Sequence, residues 1–118
     1  MIPPHVRIYV YTEPVDMRRG FDGLALIARE TLGQDPRSGS LFLYANRRSD
    51  RLKALWWDTN GYCILYKRLH RAVFELPSCR SEDGSSTLSV RIDGKKLCEL
   101  LAGTPKRRKS CAKLRVVR

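Results

Sequence analysis

The feature that most constrains this chain is the stretch from Ser40 to Pro77, SLFLYANRRSDRLKALWWDTNGYCILYKRLHRAVFELP. Three apolar runs lie in it: Leu41 to Ala45, Leu52 to Trp57 and Tyr62 to Leu69. Two polar turns separate them, Asn46-Arg47-Arg48-Ser49-Asp50-Arg51 and Asp58-Thr59-Asn60-Gly61. Short apolar and aromatic runs bounded by turn residues read as strands. Asn-Gly is a strong hairpin signal, because both residues tolerate positive φ. The expectation is an antiparallel meander of three strands, its second turn made by Asn60-Gly61.

The flanking segments add a few elements. Val6 to Tyr11 is rich in β-branched and aromatic residues and reads as a strand, ended by Pro14. Asp16 can cap a helix running to Leu32, with Met17, Phe21, Leu24, Ala25, Ala28 and Leu32 on one face and Gly33 as its stop. Gly20 and Gly23 are unfavourable inside a helix. Either the helix begins later, near Asp22, or the glycines admit a close approach. Val73 to Pro77 reads as a short strand and Ser78 to Thr87 as a mobile loop. Leu88 to Ile92 alternates and can add another strand. Asp93 then caps a short helix with Leu97, Leu100 and Leu101 on its buried face, stopped by Gly103. The fold class is α+β: a small antiparallel sheet, made of the central meander plus an N-terminal strand, with one longer N-terminal helix and one short C-terminal helix. Residues 1–103 form one domain, and 104–118 form a basic tail expected to be disordered.

Charge is the second constraint. The chain has 118 residues, with 23 Lys and Arg against 12 Asp and Glu. Seven of the basic residues and none of the acids lie between Thr104 and Arg118. The body is therefore mildly basic and the tail strongly so, which favours a polyanionic partner, nucleic acid before membrane surface. There is no apolar run of the roughly 18 residues needed to span a bilayer, and no secretory leader is visible. A cytoplasmic protein is expected. The cysteines at 63, 79, 98 and 111 lack the short spacing of a zinc site. Reduced thiols are expected, with Cys63 and Cys98 buried as small hydrophobes. No metal or other cofactor is expected.

Topology brings two basic clusters together. In a meander the second strand leaves the first turn and the third returns toward it. Arg47, Arg48 and Arg51 of the first turn should therefore meet Lys67, Arg68 and Arg71 at one edge. These six, with Lys106, Arg107, Arg108 and Lys109 of the tail, are the candidate nucleic-acid contacts. Arg18 and Arg19 sit where a helix start disfavours cations, so each should engage a carboxylate such as Asp22, or a phosphate. Neighbouring residues on a strand face opposite ways, so one of Trp56 and Trp57 belongs to the core. The other is covered by the helix or forms a partner surface. Trp57 and Tyr62 lie far from the basic edge, so phosphate contact is better supported than base stacking. No catalytic constellation is visible. Asp50 and Asp58 stand at opposite ends of one strand, roughly 25 Å apart for about eight residues, too far to share a metal.

The central block resembles the TnpB-type accessory proteins encoded by the second reading frame of insertion-sequence sixty-six elements. The resemblance rests on Val15-Asp16-Met17-Arg18, Phe21-Asp22-Gly23-Leu24, Asp35-Pro36 with Gly39, and Phe42 with Asn46-Arg47-Arg48. It continues through Lys53 with Leu55-Trp56-Trp57-Asp58, Asn60-Gly61, Lys67-Arg68-Leu69, and Phe74 with Pro77. Departures fall at Ser49, His70, Ala72 and Leu76. The resemblance implies a bacterial helper in DNA transposition, with cutting and joining left to a separate transposase. Two roles fit it: a non-catalytic factor binding DNA through the basic edge and tail, or an adaptor engaging the transposase through the same arginines. Trp56, Trp57, Arg18 and Arg19 are the candidate partner-binding residues.

Overall fold

In a computed structural model, residues 6–76 and 89–105 are described. The expected loop Ser78 to Thr87, Cys79, Cys111 and the basic residues Lys106 to Lys109 lie outside them. Ten elements follow in order: β1 (Ile8–Tyr11), α1 (Phe21–Leu26) running into a π-helical segment (Ile27–Thr31), β2 (Leu41–Ala45), β3 (Arg51–Asp58), β4 (Gly61–Arg68), β5 (Ala72–Val73), β6 (Ser89–Ile92), α2 (Gly94–Ala102) and β7 (Thr104–Pro105).

The sheet is larger than expected and it is mixed. Five strands lie in the order β4-β3-β2-β1-β6. β2, β3 and β4 pair antiparallel in sequence order, and β6 pairs antiparallel with β1. β1, however, runs parallel to β2, with Ile8 beside Leu41 and Val10 beside Leu43. This corrects the expectation of an antiparallel sheet. Its cause is the long connection from residue 12 to 40, which carries α1 and returns the chain to the same end of the sheet, as a parallel pair requires.

Strand alternation divides the core into two layers. Ile8, Val10, Leu41, Leu43, Leu52 and Ala54 face α2, where they pack with Leu100 and Phe74. Tyr9, Phe42, Tyr44 and Leu55 face α1 and pack with Leu24, Ala25 and Ala28. Tyr9 and Phe42 stack at 5.5 Å between ring centroids. The helix on this face starts later than Met17. Gly20 is its N-cap in an extended conformation, and a Cβ there would meet nothing within 4 Å. The later start accounts for Gly20, whereas Gly23 lies inside α1, where an added Cβ would come within 3.3 Å of the Arg19 side chain, so a close approach accounts for it. Asp16 does not cap α1; its carboxylate accepts from the Arg18 backbone N–H two residues on. Gly33 ends the helical region at φ +68°.

Several local features differ in detail. The β3–β4 loop is Thr59-Asn60, with Gly61 already paired to Asp58 and the positive φ on Thr59. Asn60-Gly61 is thus displaced by one position from the turn it was expected to form. β5 stops after Val73, and Phe74 turns into the core. β7 pairs with β5, so two residues past Gly103 take part in a small second sheet. Asp93 caps α2 by accepting from Lys96 N at 2.8 Å, and Gly103 ends it at φ +78°. The cysteine expectation is corrected: Cys98 is exposed and Cys63 partly buried, and both are free. Cys98 follows Leu97 by about 100° around α2, off its buried face. No described helix is long and apolar enough to cross a membrane.

Candidate nucleic-acid interface

The first turn is built around one side chain. Asn46 Oδ1 accepts from the backbone N–H groups of Asp50 and Arg51, each at 3.1 Å, while Nδ2 donates to Asp50 Oδ1 at 2.8 Å. The amide's hydrogen bond is the main cause that holds the Asp50 carboxyl below its usual range. Ser49 takes φ +59° at the tip. The turn is also tied to its surroundings by backbone hydrogen bonds. Leu69 N–H donates to Asp50 O, Phe74 N–H to Ser49 O, and Val15 N–H to Ala45 O. Arg47 and Arg48 therefore project from an anchored turn rather than a free loop.

Beside it lies a surface groove of about 510 Å³ lined by Arg18, Arg47, Arg48, Arg51, Asp16 and Tyr66, among others. Arg18 is held there by Asp16. Its Nε donates to both carboxylate oxygens at 3.1 Å and its Nη2 to Oδ2 at 2.8 Å. This pairing pulls the Asp16 carboxyl down to about 2 and raises the guanidinium further. The partner of Arg18 is thus Asp16 and not Asp22. Arg19 contributes its carbonyl, which accepts from Lys53 Nζ at 2.8 Å.

The two basic clusters meet in the ladder. Arg51 stands directly opposite Arg68, on the face that carries α1. Arg47, Arg48, Arg51, Arg68 and Arg71 form no ion pair within 4 Å with another described residue. Like charges directly opposite in a sheet repel, and no described carboxylate pairs with either arginine. Arg71 is exposed in the turn after β4, at φ +66°.

A comparison with family models decides the relationship. The model described as "IS66 Orf2 like protein" matches residues 6–110. The chain belongs to the IS66 Orf2-like family. It is similar to two proteins of Sinorhizobium fredii. Uncharacterized protein y4hO is 38% identical over 99 residues, 84% of this chain and 81% of that protein. Uncharacterized protein y4jC is 37% identical over 84 residues, 71% and 70% of the two chains. No solved structure matches. Membership in the IS66 Orf2-like family makes the chain an accessory protein of an insertion sequence.

The remaining candidate residues of this family member separate. Lys67 faces the other side of the sheet, where its Nζ donates to Leu101 O at 2.8 Å, at the C-terminal end of α2. It serves the helix rather than the groove. Trp56 packs against the core on the α2 face. Trp57 lies on the α1 face, edge-on to Tyr62 and with the Arg37 guanidinium 4.9 Å from its ring centroid. Asp50 and Asp58 flank the ends of β3, and among the described residues no three His, Cys, Asp or Glu side chains cluster as a metal site would need. The sequence reading missed Tyr66, which lies in the basic groove and is 51% exposed. Its signal was the two-residue spacing to Arg68.

Proposed function

We propose that this IS66 Orf2-like protein is a non-catalytic, DNA-binding accessory factor of transposition. Arg47, Arg48, Arg51 and Arg68 hold phosphates, Arg18 and Arg71 flank them, and Lys106, Arg107, Arg108 and Lys109 add affinity without sequence choice. The observation that carries this reading is the facing pair Arg51–Arg68 beside Arg47 and Arg48, none of them ion-paired to a described residue. Titration of isotope-labelled full-length protein with short DNA tests it by NMR. The backbone and guanidinium signals of residues 46–51 and Arg68 shift together with those of the tail. Shifts confined to residues beyond 105 would overturn the role of the groove.

An adaptor that engages the transposase is the second reading. It is favoured by β4, which forms one edge of the sheet and leaves Leu65 44% exposed. It expects a complex with the transposase in the absence of DNA. Independent migration of the two purified proteins at micromolar concentration would count against it.

A further inference from the structure

Tyr66 sits two residues before Arg68 on β4 and so shares its face of the sheet. α1 packs over the middle of that face, where Leu55 is buried and Ile64 is partly buried. The cover does not extend to Tyr66, whose ring lines the groove beside Arg47, Arg48 and Arg51. The ring is held in place. Its cross-strand partner is Lys53, whose Nζ lies 4.9 Å from the ring centroid and is itself fixed to Arg19 O at 2.8 Å. A cation over an aromatic face is attractive, and here it pins the ring on a strand rather than a loop.

An exposed aromatic ring flanked by unpaired arginines is the arrangement that grips a nucleic-acid strand by both its parts. The guanidinium groups take phosphates, and the ring offers a flat surface on which any base can stack. Bases in a duplex are already stacked and cannot reach such a ring. A groove of about 510 Å³ lies within the roughly 300–1,000 Å³ range of sites that take a small organic ligand, which suits a nucleotide unit. We infer that Tyr66 is a stacking platform for an unpaired base, and that this groove takes single-stranded DNA in preference to duplex. The inference rests on the DNA-binding reading above and names the form of DNA that the same site selects.

The test uses full-length protein, so that the tail contributes equally throughout. Fluorescence anisotropy is measured with a labelled oligothymidine and with a labelled duplex of equal length. The versions are wild type, Tyr66→Ala, Tyr66→Leu, Tyr66→Phe and the double variant Arg47→Gln/Arg48→Gln. Tyr66→Leu keeps an apolar side chain without a π-face and guards against a folding defect in the alanine variant; melting temperatures check both. Wild type binds the single strand more tightly. Tyr66→Ala and Tyr66→Leu weaken single-strand binding about tenfold and leave duplex binding within twofold, while Tyr66→Phe behaves as wild type. Equal loss on both DNAs, or no loss on either, overturns the inference. If the arginine variant loses binding while the Tyr66 variants do not, stacking alone fails. If wild type binds neither DNA, the DNA-binding reading fails with it.

Discussion

Asn46 does more to shape the groove than any arginine in it. Three hydrogen bonds from one partly buried amide close the turn that presents Arg47 and Arg48. Replacing it by alanine leaves two backbone N–H groups and a carboxylate without these partners, which costs about 1–3 kcal/mol. Asn46→Ala should therefore lower stability by that amount in urea unfolding and weaken DNA binding beyond what the lost stability explains. Asp16 makes a prediction about pH. Its folded value of about 2 lies below the ordinary 3.8, chiefly through hydrogen bonds from Arg18. A depressed acid stabilises the fold above its unfolded pKa, and this contribution is lost as pH falls through the folded value. The Asp16–Arg18 pair should thus stay intact in the folded protein until pH falls to about 2, while its contribution to stability shrinks between about pH 4 and 2. An NMR titration of the Asp16 carboxyl with a midpoint near 4 would contradict the pairing. Tyr66 shows the limit of reading residues from sequence. Period-two spacing places it with Arg68, but whether a helix covers that part of the face is a tertiary fact.

At the scale of elements, β4 divides its basic residues between two tasks. Arg68 faces Arg51, whereas Lys67 reaches across to the end of α2 and bonds the Leu101 carbonyl. A cation at a helix C-terminus satisfies an orphan carbonyl and complements the macrodipole. Lys67→Met keeps the apolar stem and removes the ammonium. It should lower stability by about 1 kcal/mol and leave DNA affinity and its salt dependence unchanged; a loss of affinity would return Lys67 to the interface. Alternation and turn chemistry made β2, β3, β4, β6 and α2 legible within one or two residues. The parallel pairing of β1 with β2 was not, because a single sequence carries no record of which strands become neighbours across a long connection. The start of α1 was legible only as one of two alternatives, the later one near Asp22. Met17 fits the apolar period of the helix but belongs to the turn that begins at Asp16. The π-helical segment was invisible too. There the buried Tyr44 hydroxyl donates to Leu24 O at 2.9 Å, close to where α spacing gives way, and no local pattern announces so distant a contact.

For the whole molecule, the proposed role is that a folded face of an IS66 Orf2-like protein recognises the phosphate backbone and that the tail strengthens the contact. Convergence of Arg51 and Arg68 was legible because it follows from meander topology alone. The contribution of Arg18 was not, since the long connection brings it to the groove. The most direct test is the salt dependence of DNA binding by three full-length versions: wild type, Arg47→Gln/Arg48→Gln/Arg51→Gln, and Lys106→Gln/Arg107→Gln/Arg108→Gln/Lys109→Gln. Each phosphate contact contributes roughly 0.7–0.9 to the slope of log affinity against log salt. The groove variant should lose about two units of slope and more than tenfold in affinity at moderate salt, with the tail variant losing a comparable slope independently. A groove variant that keeps the wild-type affinity and slope, while the tail variant loses both, would contradict the account.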